Sequence, residues 1–160
     1  MPGNAPSPHL IAGVAPVHKV ELCSATLPPP IGLCAAHYWF VTWHHDACHR
    51  WEVWQTKHAG GRSFGHVHVD LKPPHAGVGG GRTRHVAEWR GSDAQAIVGA
   101  LESFADYPHC HRYVAWPGPN SNTFVAWVLQ RAGIHHALGW NALGKRYGAR
   151  ARHSRFTLRT

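Results

Sequence analysis

Nine consecutive residues, Trp116-Pro117-Gly118-Pro119-Asn120-Ser121-Asn122-Thr123-Phe124, join a sharp bend to side chains suited to carbonyl chemistry. Pro117, Gly118 and Pro119 impose the bend, and Asn120 or Ser121 suits the N-cap of the helix behind it. A residue on the first turn of a helix lies beside unsatisfied N–H groups and the positive end of the helix dipole. That environment favours a developing oxyanion and the anionic form of a nucleophile. Ser121 is therefore a candidate nucleophile, with Trp116, Asn120 and Asn122 as candidate substrate contacts beside it. The competing reading is plain: Ser121 is an ordinary helix-capping serine.

Sixteen histidines are spread along the chain, so any single one is weak evidence of a site. His44-His45-Asp46-Ala47-Cys48-His49 and His109-Cys110-His111 offer zinc-type ligands without a standard finger spacing. His66 and His68 fall on one face of an alternating run, where they could bind metal or line a pocket. The leading reading nonetheless takes no metal and no cofactor.

The string Arg112-Tyr-Val-Ala-Trp-Pro-Gly-Pro-Asn-Ser-Asn-Thr-Phe-Val resembles the signature of a bacterial domain-of-unknown-function family, number 3750. Segments around Lys19–Leu27, His37–Phe40, Arg50–Trp54 and Gly144-Lys145 are similar to it as well, so the resemblance spans most of residues 19–148. More distantly, the chain resembles circularly permuted papain-like proteins, the NlpC-type peptidases and relatives of lecithin retinol acyltransferase. These place a strand histidine first, a polar residue on the next strand, and an Asn-Cys-x-x-Phe motif at a helix start. His37-Tyr-Trp-Phe-Val resembles the strand histidine, and Asn120-Ser121-Asn122-Thr123-Phe124 the nucleophile motif, with Ser121 where those proteins carry cysteine. A serine hydroxyl is a weaker nucleophile than a low-pKa thiol and depends on an adjacent base.

The resemblance makes His37 that base. If the hairpin pairs residues whose numbers sum to 89, Glu52 stands directly opposite His37 and fixes its tautomer. An ordinary surface Glu52 is the alternative. Asp46 and His49 are weaker candidates for the orienting role.

These groups need a scaffold, and periodicity supplies one. Lys19 to Leu27, His37 to Trp43, Trp51 to Thr56, Phe64 to Leu71 and Arg84 to Trp89 read as strands, with a polar turn over His44–Arg50. In the Phe64–Leu71 run, Val67, Val69 and Leu71 take one face and His66, His68 and Asp70 the other. Ser92 opens a helix with Gln95 completing a capping box, and Ala94, Ile97, Val98, Leu101, Phe104 and Ala105 form its apolar face. A second helix runs from about Asn122 to Ala132 and ends at Gly133. Gly77–Gly81 lacks the strand–loop–helix setting of a phosphate loop.

Strands first and helices later predict an α+β fold, an antiparallel sheet against two main helices, in a permuted papain-like arrangement. The expected organisation is a loose arm over residues 1–18, one domain over 19–148 and a basic tail over 149–160. Apolar residues make up 44% and charged residues 15%, which excludes a disordered chain. The N-terminus carries no signal-peptide pattern, and no apolar window is long enough to cross a bilayer. Four isolated cysteines without a CxxC suit a reducing compartment, so a cytoplasmic monomer is expected. The net charge of +8 falls heavily on the C-terminal end, where residues 145–159 carry six of the 16 Lys and Arg; a solvated end is preferred over a nucleic-acid contact.

Function then ranks as hydrolysis or acyl transfer at an amide or ester by Ser121 and His37. The alternative is an inactive module that binds a peptide, glycan or lipid in the same cleft. A histidine-based metal protein comes third.

Overall fold

Strict alternation in the first strand separates two chemistries. In β1 (Lys19–Thr26) Val20 and Leu22 face one way while Glu21, Cys23 and Ala25 face the other, and both sets are buried. The computed structural model describes residues 19–45 and 47–149. The expected arm, the candidate Asp46 and nearly all of the expected basic tail lie outside the described residues.

Along the chain follow β2 (Ala36–His44), β3 (Ala47–Val53), β4 (Arg62–Phe64), β5 (Val67–Val69) and β6 (Arg84–Trp89). Helices α1 (Gly91–Glu102), α2 (Ser121–Arg131) and the short α3 (Lys145–Ala149) complete the described elements, with single 3-10 turns at Ile31–Leu33 and Phe104–Asp106. The strands form one antiparallel sheet in the order β4-β5-β3-β2-β1-β6, so the α+β class and the antiparallel sheet hold. No helix among the described residues is long and apolar enough to cross a membrane.

One face of the sheet packs against α1 and α2. Tyr38, Phe40, Trp51, Val53, Val67 and Val69 meet Ile97, Leu101, Phe124, Val125 and Val128 there. Each fully buried side chain of this size is worth on the order of 1.5–3 kcal/mol against exposure. The opposite face is not left to water. The segment between Val69 and Arg84 lies across it, and Val78 joins Cys23, Ala25, Trp39 and Val41 in a second apolar cluster. With both faces covered, Ala36 to Val41 are all buried, which is why His37–Trp43 reads as a nearly continuous apolar run.

Several boundaries differ from the sequence reading. The polar turn is shorter than His44–Arg50, because β2 extends to His44 and β3 begins at Ala47. Phe64–Leu71 is not one strand but a hairpin, β4 and β5, turning at Gly65-His66. Gly65 has φ +61, and an added Cβ there would sit 2.2 Å from the Cys110 carbonyl oxygen. A glycine takes this backbone at no steric cost, and the alternation of the flanking valines survives the turn. Ser92 lies inside α1 and caps nothing. The helix begins at Gly91, φ +57, behind an Arg90 that makes no side-chain cap bond. Phe104, expected on α1, sits on the following 3-10 turn. Helix α2 ends as read, with Gly133 at φ +72 after Ala132.

Candidate functional site

The start of α2 is held by side-chain hydrogen bonds of Asn120, Asn122 and Thr123. Asn120, in extended conformation, accepts hydrogen bonds at Oδ1 from the Asn122 and Thr123 amides (3.0 and 3.3 Å), and Thr123 Oγ1 accepts from the Asn120 N–H (3.1 Å). This reciprocal cap assigns the N-cap to Asn120 and leaves Ser121 at the first helical position, one residue before the expected start. Asn120 Nδ2 donates to the Ala115 carbonyl and Thr123 Oγ1 donates to the Gly144 carbonyl, tying the helix to the loops on either side. Asn122 spends both amide protons on the Ala36 and Leu143 carbonyls (2.9 Å each), so its side chain fastens α2 to the beginning of β2.

The Ser121 hydroxyl is thereby freed from capping. Its contact is a long one, to Asn122 Oδ1 at 3.5 Å. Of the first-turn amides, those of Asn122 and Thr123 are consumed by Asn120, which leaves the Ser121 N–H without a partner among the described residues.

His37 enters from the second position of β2. Its Nε2–H donates to Glu52 Oε2 at 2.8 Å, and the Trp54 ring stands edge-on to the imidazole at 5.3 Å. The β2–β3 register differs from the expected one. Paired residue numbers sum to 91, as in Phe40 with Trp51 and Val41 with Arg50. Extended to the end of β3, that register sets Glu52 opposite Trp39 and diagonal to His37. A shift of two keeps the face of every side chain, so the hydrogen bond forms across the diagonal.

Behind His37 the charge is closed off completely. Glu52 and Arg50 are both fully buried, and Arg50 Nη2 donates to the same Glu52 Oε2 at 2.8 Å. Arg50 Nη1 donates to the carbonyls of Pro73 and Ala76, and its guanidinium lies 4.0 Å from the Trp39 ring centre. Burial pushes the Glu52 pKa up, but the hydrogen bond from His37 and the charges of His37 and Arg50 outweigh it and hold the carboxyl below its usual range. Glu52 is thus an anion that fixes the imidazole with Nε2 protonated. Nδ1, which has no hydrogen-bond partner among the described residues, is left to take a proton.

Ser121, His37, Asn120 and Asn122 all line one cavity of about 420 Å³ at the end of the sheet. Its remaining walls are largely apolar, among them Leu27, Ile31, Trp54, Val78 and Tyr113. No hydrogen bond joins Ser121 to His37, so the structure brings the two to one cavity without pairing them.

The other expected site residues lie elsewhere. Trp116 is 67% exposed and is not part of the cavity wall. His66 sits in the β4–β5 turn, where its Nδ1 donates to the Trp54 carbonyl and its ring meets Tyr113. His68 is fully buried opposite Glu52. Its Nδ1 donates to the His66 carbonyl and its Nε2 accepts from the Ala59 amide, which fixes a neutral tautomer. Burial lowers its pKa accordingly. With both nitrogens used, His68 cannot form the alternative metal pair with His66, and neither histidine lines the cavity. His49 donates to Asp70 at the surface, away from His37. Sequence reasoning passed over Arg50 and the walls Trp54 and Tyr113; the Arg50-Trp51-Glu52 alternation inside an aromatic strand is the signal that charge is buried there.

Comparison with known proteins places the chain in a family. A family model described as "Protein of unknown function (DUF3750)" covers residues 17–147. No curated protein and no solved structure matches the chain.

Proposed function

We propose that this chain, which belongs to the DUF3750 family, is a serine hydrolase or acyltransferase of permuted papain-like type. The supporting observation is the shared cavity. A hydroxyl at a helix mouth and an imidazole oriented by a buried carboxylate face the same apolar space. In the proposed step, His37 Nδ1 takes the Ser121 proton while Oγ attacks the carbonyl carbon of an amide or ester. The oxyanion forms beside the Ser121 N–H. The carbon–leaving-group bond then breaks, His37 returns the proton to the leaving amine or alcohol, and water or another acceptor releases the acyl group by the reverse sequence. Catalytic hydrogen bonds are commonly long without ligand and tighten in the complex, which accommodates the missing bond between Ser121 and His37.

A second reading has its own support. Because Ser121 Oγ reaches only Asn122 and the neighbouring amides are occupied, the cavity equally suits a module that holds a peptide, glycan or lipid without cleaving it. Ser121→Cys separates the two. A poised site makes the new thiol react with iodoacetamide at neutral pH far faster than Cys34, which is exposed, and His37→Ala removes that advantage. Cys23, pushed up to about 12 by burial, and Cys110, pushed up to about 11, serve as slow internal references. An introduced thiol no faster than Cys34 and indifferent to His37→Ala would leave the binding module as the function. Fluorophosphonate labelling of wild-type Ser121 tests the enzyme directly.

A further inference from the structure

On the far side of the sheet from α1 and α2, away from the cavity, five metal-type donors fall into two groups that share Glu21. Glu21 and Cys23, two apart on β1, point to the same face. His75 lies over them from the covering segment, and the ligand atoms of Glu21, Cys23 and His75 are all within 4.8 Å of one another. Glu21, His85 and Glu88 form a second such group sharing the same carboxylate.

The β1–β6 pairing shows how the second group arises. Leu22 pairs with Ala87, but after a register shift Cys23 pairs with His85 instead of Val86. The extra residue, Val86, packs toward the helix-side core. A bulge commonly serves to re-aim a side chain, and this one puts an imidazole beside the cysteine where a regular ladder would put a valine. A further observation is the thiol itself. Cys23 is 1% exposed and makes no hydrogen bond to any described residue, although ligand atoms of Glu21 and His75 lie within 4.8 Å of its sulfur.

We propose that Glu21, Cys23 and His75 form a binding site for a zinc-type divalent cation, with His85 as the fourth ligand and Glu88 beside it. One thiolate, imidazoles and one carboxylate make a borderline-soft donor set that suits Zn²⁺ and not Mg²⁺ or Ca²⁺, which take oxygen ligands. Zinc bonds of about 2.0–2.3 Å require donors roughly 3–4 Å apart, so the three atoms close by only about 1 Å. His75 Nε2 and Glu21 Oε2 now share a hydrogen bond of 2.7 Å, and binding exchanges it for two bonds to the metal. Lys19 stays on the other oxygen, Glu21 Oε1, at 2.6 Å, as an outer partner that orients the carboxylate. Thiolate and carboxylate together neutralise the ion. The metal would fasten the covering segment at His75 to β1, between the Trp39 bond to the Pro74 carbonyl and the Arg50 bond to the Ala76 carbonyl.

Cobalt titration of the untagged full-length protein, stripped with chelator, tests the site. One equivalent should bind, with a near-ultraviolet sulfur-to-cobalt charge-transfer band and tetrahedral visible bands, and zinc should displace it. His75 is half exposed, so His75→Ala should melt cooperatively and yet weaken cobalt binding by at least roughly tenfold, the loss typical of even an outer partner. Cys23→Ser should abolish the sulfur band, while His111→Ala, outside the cluster, should leave binding unchanged. Absence of the band, or cobalt affinity unaltered in a folded His75→Ala protein, would overturn the proposal.

Discussion

Replacing Glu52 by glutamine isolates the charge at the centre of the buried network. The substitution keeps volume and one acceptor, so it opens no cavity and His37 Nε2–H retains an oxygen to donate to. What disappears is the counter-ion of Arg50. The guanidinium is fully buried, and its other polar partners are the Pro73 and Ala76 carbonyls; Nε already has none among the described residues. Removing one partner of a buried ion pair typically costs about 3–5 kcal/mol, because the remaining charge stays desolvated. The retained acceptor sets the expectation at the lower end, about 3 kcal/mol. For a domain of this size each kcal/mol moves Tm by roughly 3–4 °C, so Glu52→Gln should melt about 10 °C lower. Asp106→Asn, at the exposed pair with Arg131, is the control and should stay within about 0.5 kcal/mol. The double variant Arg50→Met with Glu52→Gln should recover much of the loss, since no unpaired charge is left. Urea unfolding monitored by circular dichroism gives these numbers and that of Arg50→Met alone. A Glu52→Gln loss no larger than that of Asp106→Asn, or a double variant equal to the sum of its singles, would refute the argument.

Acid should weaken the fold in two steps. The folded pKa of His68 is depressed, so its contribution is complete above the ordinary histidine value of about 6.5 and is lost as pH falls below it. Glu52 is also depressed; its contribution is complete above about 4.3, the ordinary carboxylate value, and goes as pH falls further, a limb that Glu52→Gln should erase from urea midpoints measured across pH. Asn122→Ala strands the Ala36 and Leu143 carbonyls and should cost on the order of 2–4 kcal/mol in chemical denaturation. Gly144 has φ +87, and an added Cβ would stand 2.4–2.7 Å from the Asn120 side-chain amide. Gly144→Ala should therefore lower stability by roughly 1–3 kcal/mol and, by displacing the cap, blunt the reactivity of a Ser121→Cys thiol; an unchanged melting curve would show that Asn120 yields freely.

Much of this arrangement is legible along the chain because it is local. The cap at Asn120 lies in four residues, and the alternation of Val67 and Val69 persists even where the strand reading fails. The partnership of His37 and Glu52 could be anticipated because side-chain facing depends only on parity, and a register wrong by two preserves parity. Long-range features were out of reach. Nothing near Trp39 or Arg50 in sequence announces that residues 73–76 will close over them. His66 and His68 looked like an open pair because alternation reports a face and not what covers it. The walls Leu27 and Tyr113 come from segments 86 positions apart and meet only in the folded chain. Bulges leave still less trace, since Val86 is unremarkable in composition and displaced only in pairing.

The covering segment between Val69 and Arg84 holds the sheet's buried polar row by its backbone. Trp39 and Arg50 donate to the carbonyls of Pro73, Pro74 and Ala76, and those carbonyls are the same whatever side chain each residue carries. Such a seal is indifferent to spelling and sensitive to length. Substitution at Ala76 alters no acceptor, whereas inserting or deleting one residue between Asp70 and Val78 moves every carbonyl out of step with the guanidinium or indole it meets. Tolerance of exchange alongside intolerance of insertion is the mutational signature this stretch should carry, although it forms no strand and no helix of its own.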